Sequence, residues 1–150
     1  MESARHKRLP VLPDDCRWAN AKGTIRGKPA YVRLNTSLQN HAPVAGFDSE
    51  VLVVIYFNST GDSGLPQSEA DLTVVDDIEE VFKSRLEEDG TAILALIVTH
   101  DGARELYFYS SDPDAAIEHW EQTLRRRIQT HQVQFKVRPD AEWEVYADFA

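Results

Sequence analysis

The sequence predicts a single α+β domain, in which an antiparallel sheet packs against two helices. Two long segments repeat apolar residues at intervals of three or four, as amphipathic helices do, and several shorter segments have the composition of strands. From residue 51 onward the order is β-α-β-β-α-β, with the tight-hairpin sequence Asp101-Gly102 between the middle strands. A chain of 150 residues suits one domain. We expect residues 17–150 to form it and residues 1–16, which contain two prolines, to be a loose N-terminal arm.

The four main predicted strands differ in burial. Residues 51–57 and 92–99 are apolar on both faces and rich in β-branched side chains, which is typical of central strands. Residues 104–110 and 132–138 alternate apolar and polar side chains, which indicates strands with one buried face.

An N-terminal β-hairpin is predicted ahead of these strands. Residues 17–22 and 29–35 have strand character, and the second segment alternates in the period of a half-buried strand. We expect the chain to turn within residues 23–28. The hairpin would either extend the sheet or cover part of its other face.

Helices are predicted at residues 68–88 and 113–128, and a short helix or turn at 141–148. Ser68-Glu69-Ala70-Asp71 resembles a capping box at the start of the first helix, and Asp112-Pro113 is a typical start for the second. The apolar residues at helical spacing that we expect to be buried against the sheet are Leu72, Phe82, Ile117, Trp120 and Leu124.

This order of elements corresponds to the split βαβ, or ferredoxin-like, sandwich with a hairpin added at its N-terminus. Both helices would cover one face of the antiparallel sheet, and Tyr107 and Tyr109 would lie on the other. If exposed there, the two rings would offer a stacking platform for the bases of single-stranded RNA. We favour the alternative, in which they pack beneath the hairpin or the segment 143–149, because aromatic side chains serve mostly in packing.

Several short motifs resemble those of a known family. They are Gly27-Lys28-Pro29 with Arg33 and Asn35, Gly64-Leu65-Pro66 with Glu69, Gly102, Arg104 and Glu105 leading to Tyr107-Phe108-Tyr109, and Asp140, Trp143 and Tyr146. Over residues 17–149 the chain resembles the bacterial domain-of-unknown-function family 695. The closing Asp-x-x-Trp-x-x-Tyr is similar to the ribonuclease E inhibitor family (regulator of ribonuclease activity B). The resemblance implies the same α+β sandwich. The inhibitor relatives are acidic, non-enzymatic proteins that bind another protein, so the resemblance supplies no catalytic residue.

The charge of the chain is acidic and unevenly distributed. Its formal net charge is −9, although residues 1–33 carry eight basic and three acidic side chains. Nine acids lie between Glu69 and Asp89, against Lys83 and Arg85. Such a field repels the phosphates of duplex DNA and speeds the encounter with a basic protein. The candidate partner-binding residues are the acids of the first helix and the two tyrosines: Asp76, Asp77, Glu79, Glu80, Glu87, Glu88, Tyr107 and Tyr109.

No motif for catalysis or metal binding is recognisable in the sequence. The five histidines lack the spacing of metal ligands, so each is predicted to be solvent-exposed, and the single cysteine, Cys16, has no evident base. The segment 61–66 resembles the nucleophile loop of serine proteases, but we interpret it as a glycine-rich turn. Neither an apolar run that would cross a membrane nor a secretion signal is present. We expect a cytoplasmic protein with no cofactor, no bound metal and no membrane partner.

We interpret the chain as a non-enzymatic, acidic protein-binding module. Its function would be to regulate or inhibit a basic partner protein such as a nuclease, or to neutralise one as an immunity protein does. Two alternatives stay open at this point: a module that binds single-stranded RNA on the open sheet face, and an enzyme whose site is not recognised. The sequence makes no prediction of the oligomeric state.

Overall fold

The computed structural model describes residues 17–150, which form a six-stranded antiparallel sheet with helices packed on it. The strands are β1 Trp18–Ile25, β2 Lys28–Asn35, β3 Ser49–Tyr56, β4 Ala92–His100, β5 Ala103–Ser110 and β6 Val133–Pro139. Their order across the sheet is β1-β2-β4-β5-β3-β6, and every neighbouring pair is antiparallel. The arm expected for residues 1–16 lies outside the described residues.

The helices begin where the sequence places their caps. Helix α1 covers Glu69–Glu87, and the Ser68 side chain accepts a hydrogen bond from the Asp71 backbone N–H. Helix α2, Pro113–His119, is capped by Asp112 in the same way. It continues through a π-helical turn, Trp120–Leu124, into a last α-helical turn, α3, at Arg125–Arg127. A short helix, α4, covers Glu144–Phe149 near the C-terminus.

The N-terminal hairpin extends the sheet, but its turn is tighter than the expected six residues. Strand β1 runs straight through Gly23, and the chain reverses at Arg26 and Gly27 alone. Both residues have positive φ, 54° and 80°, as two-residue hairpin turns of type I′ require. Asp101 and Gly102 make the same kind of turn between β4 and β5, with φ of 47° and 86°, as their sequence predicted.

Two hydrophobic cores lie on opposite faces of the sheet. On one face, α1 and α2 cover β3, β4 and β5, with Phe82, Leu106 and Leu124 fully buried. On the other face, the segment after β2 and the C-terminal helix α4 cover β2, β4 and β5, with Phe47 and Trp143 fully buried. This double cover explains why β4 is apolar along nearly its whole length, since neither of its faces meets solvent.

Four of the five helix residues that were predicted to be buried are buried or partly buried, and one residue of α2 is not. Phe82 and Leu124 are fully buried as expected, and Leu72 and Trp120 are partly buried. The burial predicted for Ile117 is wrong, because its side chain is 38% exposed. The buried residue of that turn is Ala116, which lies four positions before Trp120 and so shares its face of the helix.

Candidate functional site

A groove of about 450 Å³ separates the N-terminal hairpin from α1. The hairpin continues the sheet past the helices, so its helix-side residues lie beside α1 rather than beneath it. Apolar walls come from Tyr31, Leu72 and Ile97, and Tyr31 is 42% exposed at the surface. This is the cleft that the added hairpin creates on the helix-covered face.

Two arginines from different strands meet one carboxylate beside this groove. Arg33 Nη2 of β2 lies 2.6 Å from Glu79 Oε1, and Arg104 Nη1 of β5 lies 3.1 Å from the same oxygen. Arg104 also donates to Asp76, one turn before Glu79 on α1, and, through Nε, to Thr99 Oγ1. Its side chain is only 9% exposed. Glu79 therefore fixes the register of the helix against two strands, a role that the sequence did not reveal.

The N-terminus of α1 is held by a second buried pair. Asp71 Oδ1 lies 2.5 Å from His131 Nε2, and both side chains are less than a tenth exposed. Asp71 Oδ2 also accepts from the backbone N–H groups of Asn58 and Ser59. Burial raises the pKa of Asp71, but these hydrogen bonds outweigh it and hold the pKa below its usual value. The prediction that every histidine is solvent-exposed is wrong for His131.

Three other predicted acids of this helical segment lie on a different side of α1 from the groove. Asp77, Glu80 and Glu88 are exposed and line a surface depression of about 630 Å³ that α1 shares with Arg127 of α3. Glu87 does not belong to this group, because it accepts from Lys83 Nζ and from the Leu94 backbone N–H. The six predicted acids therefore divide by contact: Asp76, Glu79 and Glu87 bind sheet arginines, Lys83 or a backbone N–H, whereas Asp77, Glu80 and Glu88 bind neither a sheet arginine nor a backbone group.

Tyr109 is part of the second core rather than of an open surface. Its ring is fully buried and stacks on Trp143, with 4.2 Å between ring centroids. Its hydroxyl donates to Asp140 Oδ2 and accepts from the Tyr146 backbone N–H. Burial, reinforced by the bond to Asp140, raises the pKa of Tyr109. The packing under segment 143–149 that we favoured is confirmed for this residue.

Tyr107 is half-buried on the same face of β5. Its hydroxyl donates to Glu105 Oε1 at 3.0 Å, and burial raises its pKa. Because the neighbouring Tyr109 ring is covered by Trp143, the pair does not form a two-ring stacking platform in this conformation.

Within residues 17–150, no group of three or more histidine, cysteine, aspartate or glutamate side chains is arranged to hold a metal ion. None of the helices described there is long and apolar enough to span a membrane.

Comparison with known proteins gives one match. The model of a family described as "Family of unknown function (DUF695)" matches residues 16–150. No curated protein and no solved structure matches the chain. The matched range includes the hairpin, both cores and the groove, and the family is the one that the sequence motifs resemble.

Proposed function

We propose that the chain, which belongs to the DUF695 family of unknown function, is a non-enzymatic module that binds a basic partner protein through the exposed acids of α1. The observation that carries this proposal is the division of the acids of α1. Asp76 and Glu79 neutralise arginines of the sheet, whereas Asp77 makes no ion pair among the described residues and Glu80 accepts only from Ser84 Oγ at 3.5 Å.

The exposed acids do not serve the stability of the helix. Asp77 and Glu80 lie three positions apart on its solvent side, and like charges at this spacing destabilise a helix by about 0.2–0.5 kcal/mol. Glu88 forms an ion pair with Arg85 at 3.9 Å, which is weak at an exposed position. A basic surface docked on this side would relieve the repulsion, and the negative field would speed its approach.

The class of partner we propose is a basic protein such as a nuclease, which the module would regulate or inhibit. The similarity to the ribonuclease E inhibitor family that motivates it rests on Asp140, Trp143 and Tyr146. These residues build one packed unit, in which the Trp143 and Tyr146 rings meet edge to face and Asp140 bonds the Tyr109 hydroxyl. Their role in packing supports kinship of fold, whereas the choice of partner depends on the exposed acids.

The test is capture of partners by two charge variants of equal net charge. One variant carries Asp77→Lys, Glu80→Lys and Glu88→Lys, and the control carries Asp62→Lys, Glu142→Lys and Asp148→Lys at exposed positions away from α1. Asp76 is left unchanged because its reversal would break its bond to Arg104. Each immobilised protein is incubated at low salt with a lysate of cells that naturally contain it, and captured proteins are identified by mass spectrometry.

We expect the parent and the control to capture the same basic protein, and the α1 variant to lose it. With the purified partner, the association rate should fall about tenfold or more in the α1 variant, and added salt should slow the parent. Equal association rates for parent and α1 variant would refute the role of the helix. Capture of RNA instead of protein, or of neither, would refute the protein-binding module.

We also assign the part of the fold from β3 to β6 to the split βαβ, ferredoxin-like class. The strand order β4-β5-β3-β6 supports the assignment, since it places β3 and β4, the two strands joined by α1, on either side of β5. Under this assignment β1 and β2 are an added hairpin at the edge of the sheet.

A further inference from the structure

The groove between the hairpin and α1 has a charge opposite to that of the chain. The charged side chains that line it, within the described residues, are Lys22, Arg33 and Arg104, and no carboxylate lines it. The chain as a whole carries a formal charge of −9. Asp76 and Glu79 are bound to two of these cations, Arg33 and Arg104, so the cluster of five charged groups keeps a net positive charge.

We propose that this groove binds a small amphiphilic anion, with a carboxylate or phosphate head group and an apolar body. Its volume of about 450 Å³ lies within the roughly 300–1,000 Å³ of small-molecule sites. Its walls combine apolar surface from Tyr31, Leu72 and Ile97 with a few cationic groups. That combination fixes the orientation of a ligand with one charged end.

Arg33 is the head-group anchor. Its side chain is 40% exposed, whereas that of Arg104 is only 9% exposed. The hydrogen bond to Glu79 occupies one of its N–H groups, and an arginine fork offers five donors. Arginine binds carboxylate and phosphate oxygens with paired N–H groups, which gives both affinity and direction. Glu79 holds the guanidinium in place and leaves its other N–H groups available to a ligand.

Lys22 and Tyr31 line the groove on the side of the hairpin. They are directly opposite each other on β1 and β2, and Lys22 Nζ lies 5.5 Å from the centroid of the Tyr31 ring. The ring is the most exposed large hydrophobic side chain among the described residues. An apolar body packed along it would remove that surface from water, and Lys22 adds a second positive charge for the head group.

The site is separate from the proposed protein-binding face. Leu72, Asp76 and Glu79 face the hairpin, whereas Asp77, Glu80 and Glu88 face solvent on the other side of α1. Substitutions in the groove should therefore abolish ligand binding without affecting partner capture, and substitutions of the exposed acids should do the opposite. Neither proposal depends on the other.

The test is isothermal titration calorimetry with four probes: decanoate, decyl phosphate, decylamine and acetate. Decanoate and decyl phosphate should bind, and the ratio of their dissociation constants distinguishes a carboxylate from a phosphate ligand. Decylamine, which has the tail but the wrong charge, and acetate, which has the charge but no tail, should each bind at least about tenfold more weakly. Absence of heat from both decyl anions, or equal binding of decylamine, would overturn the proposal.

Two groove variants and one matched control locate the binding. Arg33→Gln should weaken the binding of the decyl anions about tenfold or more. Lys22→Gln, which does not touch Glu79, keeps the test valid if the first variant fails to fold, and it should weaken binding several-fold. Lys136→Gln, on the opposite edge strand β6, is the control and should bind as the parent does. Unchanged affinity in Lys22→Gln and in any folded Arg33→Gln protein would show that the anion binds elsewhere.

Discussion

Replacing Trp143 should reveal how much the second core contributes to stability. The Trp143 side chain is 1% exposed, stacks on Tyr109 and donates from Nε1 to the Phe47 carbonyl oxygen at 2.8 Å. Removal of a fully buried tryptophan costs about 3–5 kcal/mol, so Trp143→Ala should lower the free energy of unfolding by that amount. That would be a large fraction of the roughly 5–15 kcal/mol that stabilises a domain.

The backbone conformation at Trp143 predicts the relative stability of the alanine and glycine variants. Its φ is 54°, a left-handed conformation that costs residues other than glycine about 1–2 kcal/mol. Glycine avoids this cost but loses about 0.5–1 kcal/mol more chain entropy on folding. Trp143→Gly should therefore be more stable than Trp143→Ala by about 0.5–1 kcal/mol, the reverse of the usual order.

Urea unfolding followed by far-ultraviolet circular dichroism measures both variants without relying on tryptophan fluorescence. A loss below about 1 kcal/mol in Trp143→Ala would refute the account of packing, since it lies far under the cavity cost. A glycine variant less stable than the alanine variant would refute the account of the backbone.

Two further predictions concern single buried or strained positions. Because the pKa of Asp71 is lowered in the folded state, its contribution is full above the usual aspartate pKa and is lost as the pH falls through the lowered value. Asp71→Asn should therefore flatten the acid side of a plot of unfolding free energy against pH below about 4. Gly64 has φ 83°, and a Cβ there would lie 2.8 Å from Asp101 Cα, so Gly64→Ala should cost about 2 kcal/mol or more in urea unfolding. Gly23→Ala, which meets open space, is the matched control and should not destabilise.

The helices and strands of this fold could be predicted from the sequence, because the caps and turns that start or end them are formed by residues adjacent in the chain. Helix α1 was expected at residues 68–88 and covers Glu69–Glu87, since Ser68 caps it from the adjacent position. The register of β4 with β5 follows from the two-residue turn at Asp101 and Gly102 as far as Leu96 and Tyr107, where a bulge in β4 shifts it by one residue. The face of α2 was harder to predict, because adjacent Ala116 and Ile117 both fit the helical period and only the tertiary packing selects between them.

The groove and its arginine pair were missed because their parts are distant in sequence. Arg33 and Glu79 are 46 residues apart, and Glu79 and Arg104 are 25 apart. One signal was present nonetheless. Arg104 has the same parity as Leu106 and Phe108, so the strand period puts its side chain on the helix-covered face. A buried arginine needs an acidic partner, and the acids of the facing helix were the available ones.

The contacts of each acid of α1 decide whether it can be substituted without disturbing the folded structure. Asp71 and Glu79 are buried with His131 and with two arginines, so altering either would change the folded structure together with the surface. Asp77 and Glu80 are exposed, and their repulsion is a cost to the isolated domain. Neutralising them as Asp77→Asn and Glu80→Gln removes that repulsion, so the free energy of unfolding should be unchanged or slightly higher. A loss of partner binding under that condition has one remaining physical cause, which is the change of charge on the outer face of α1.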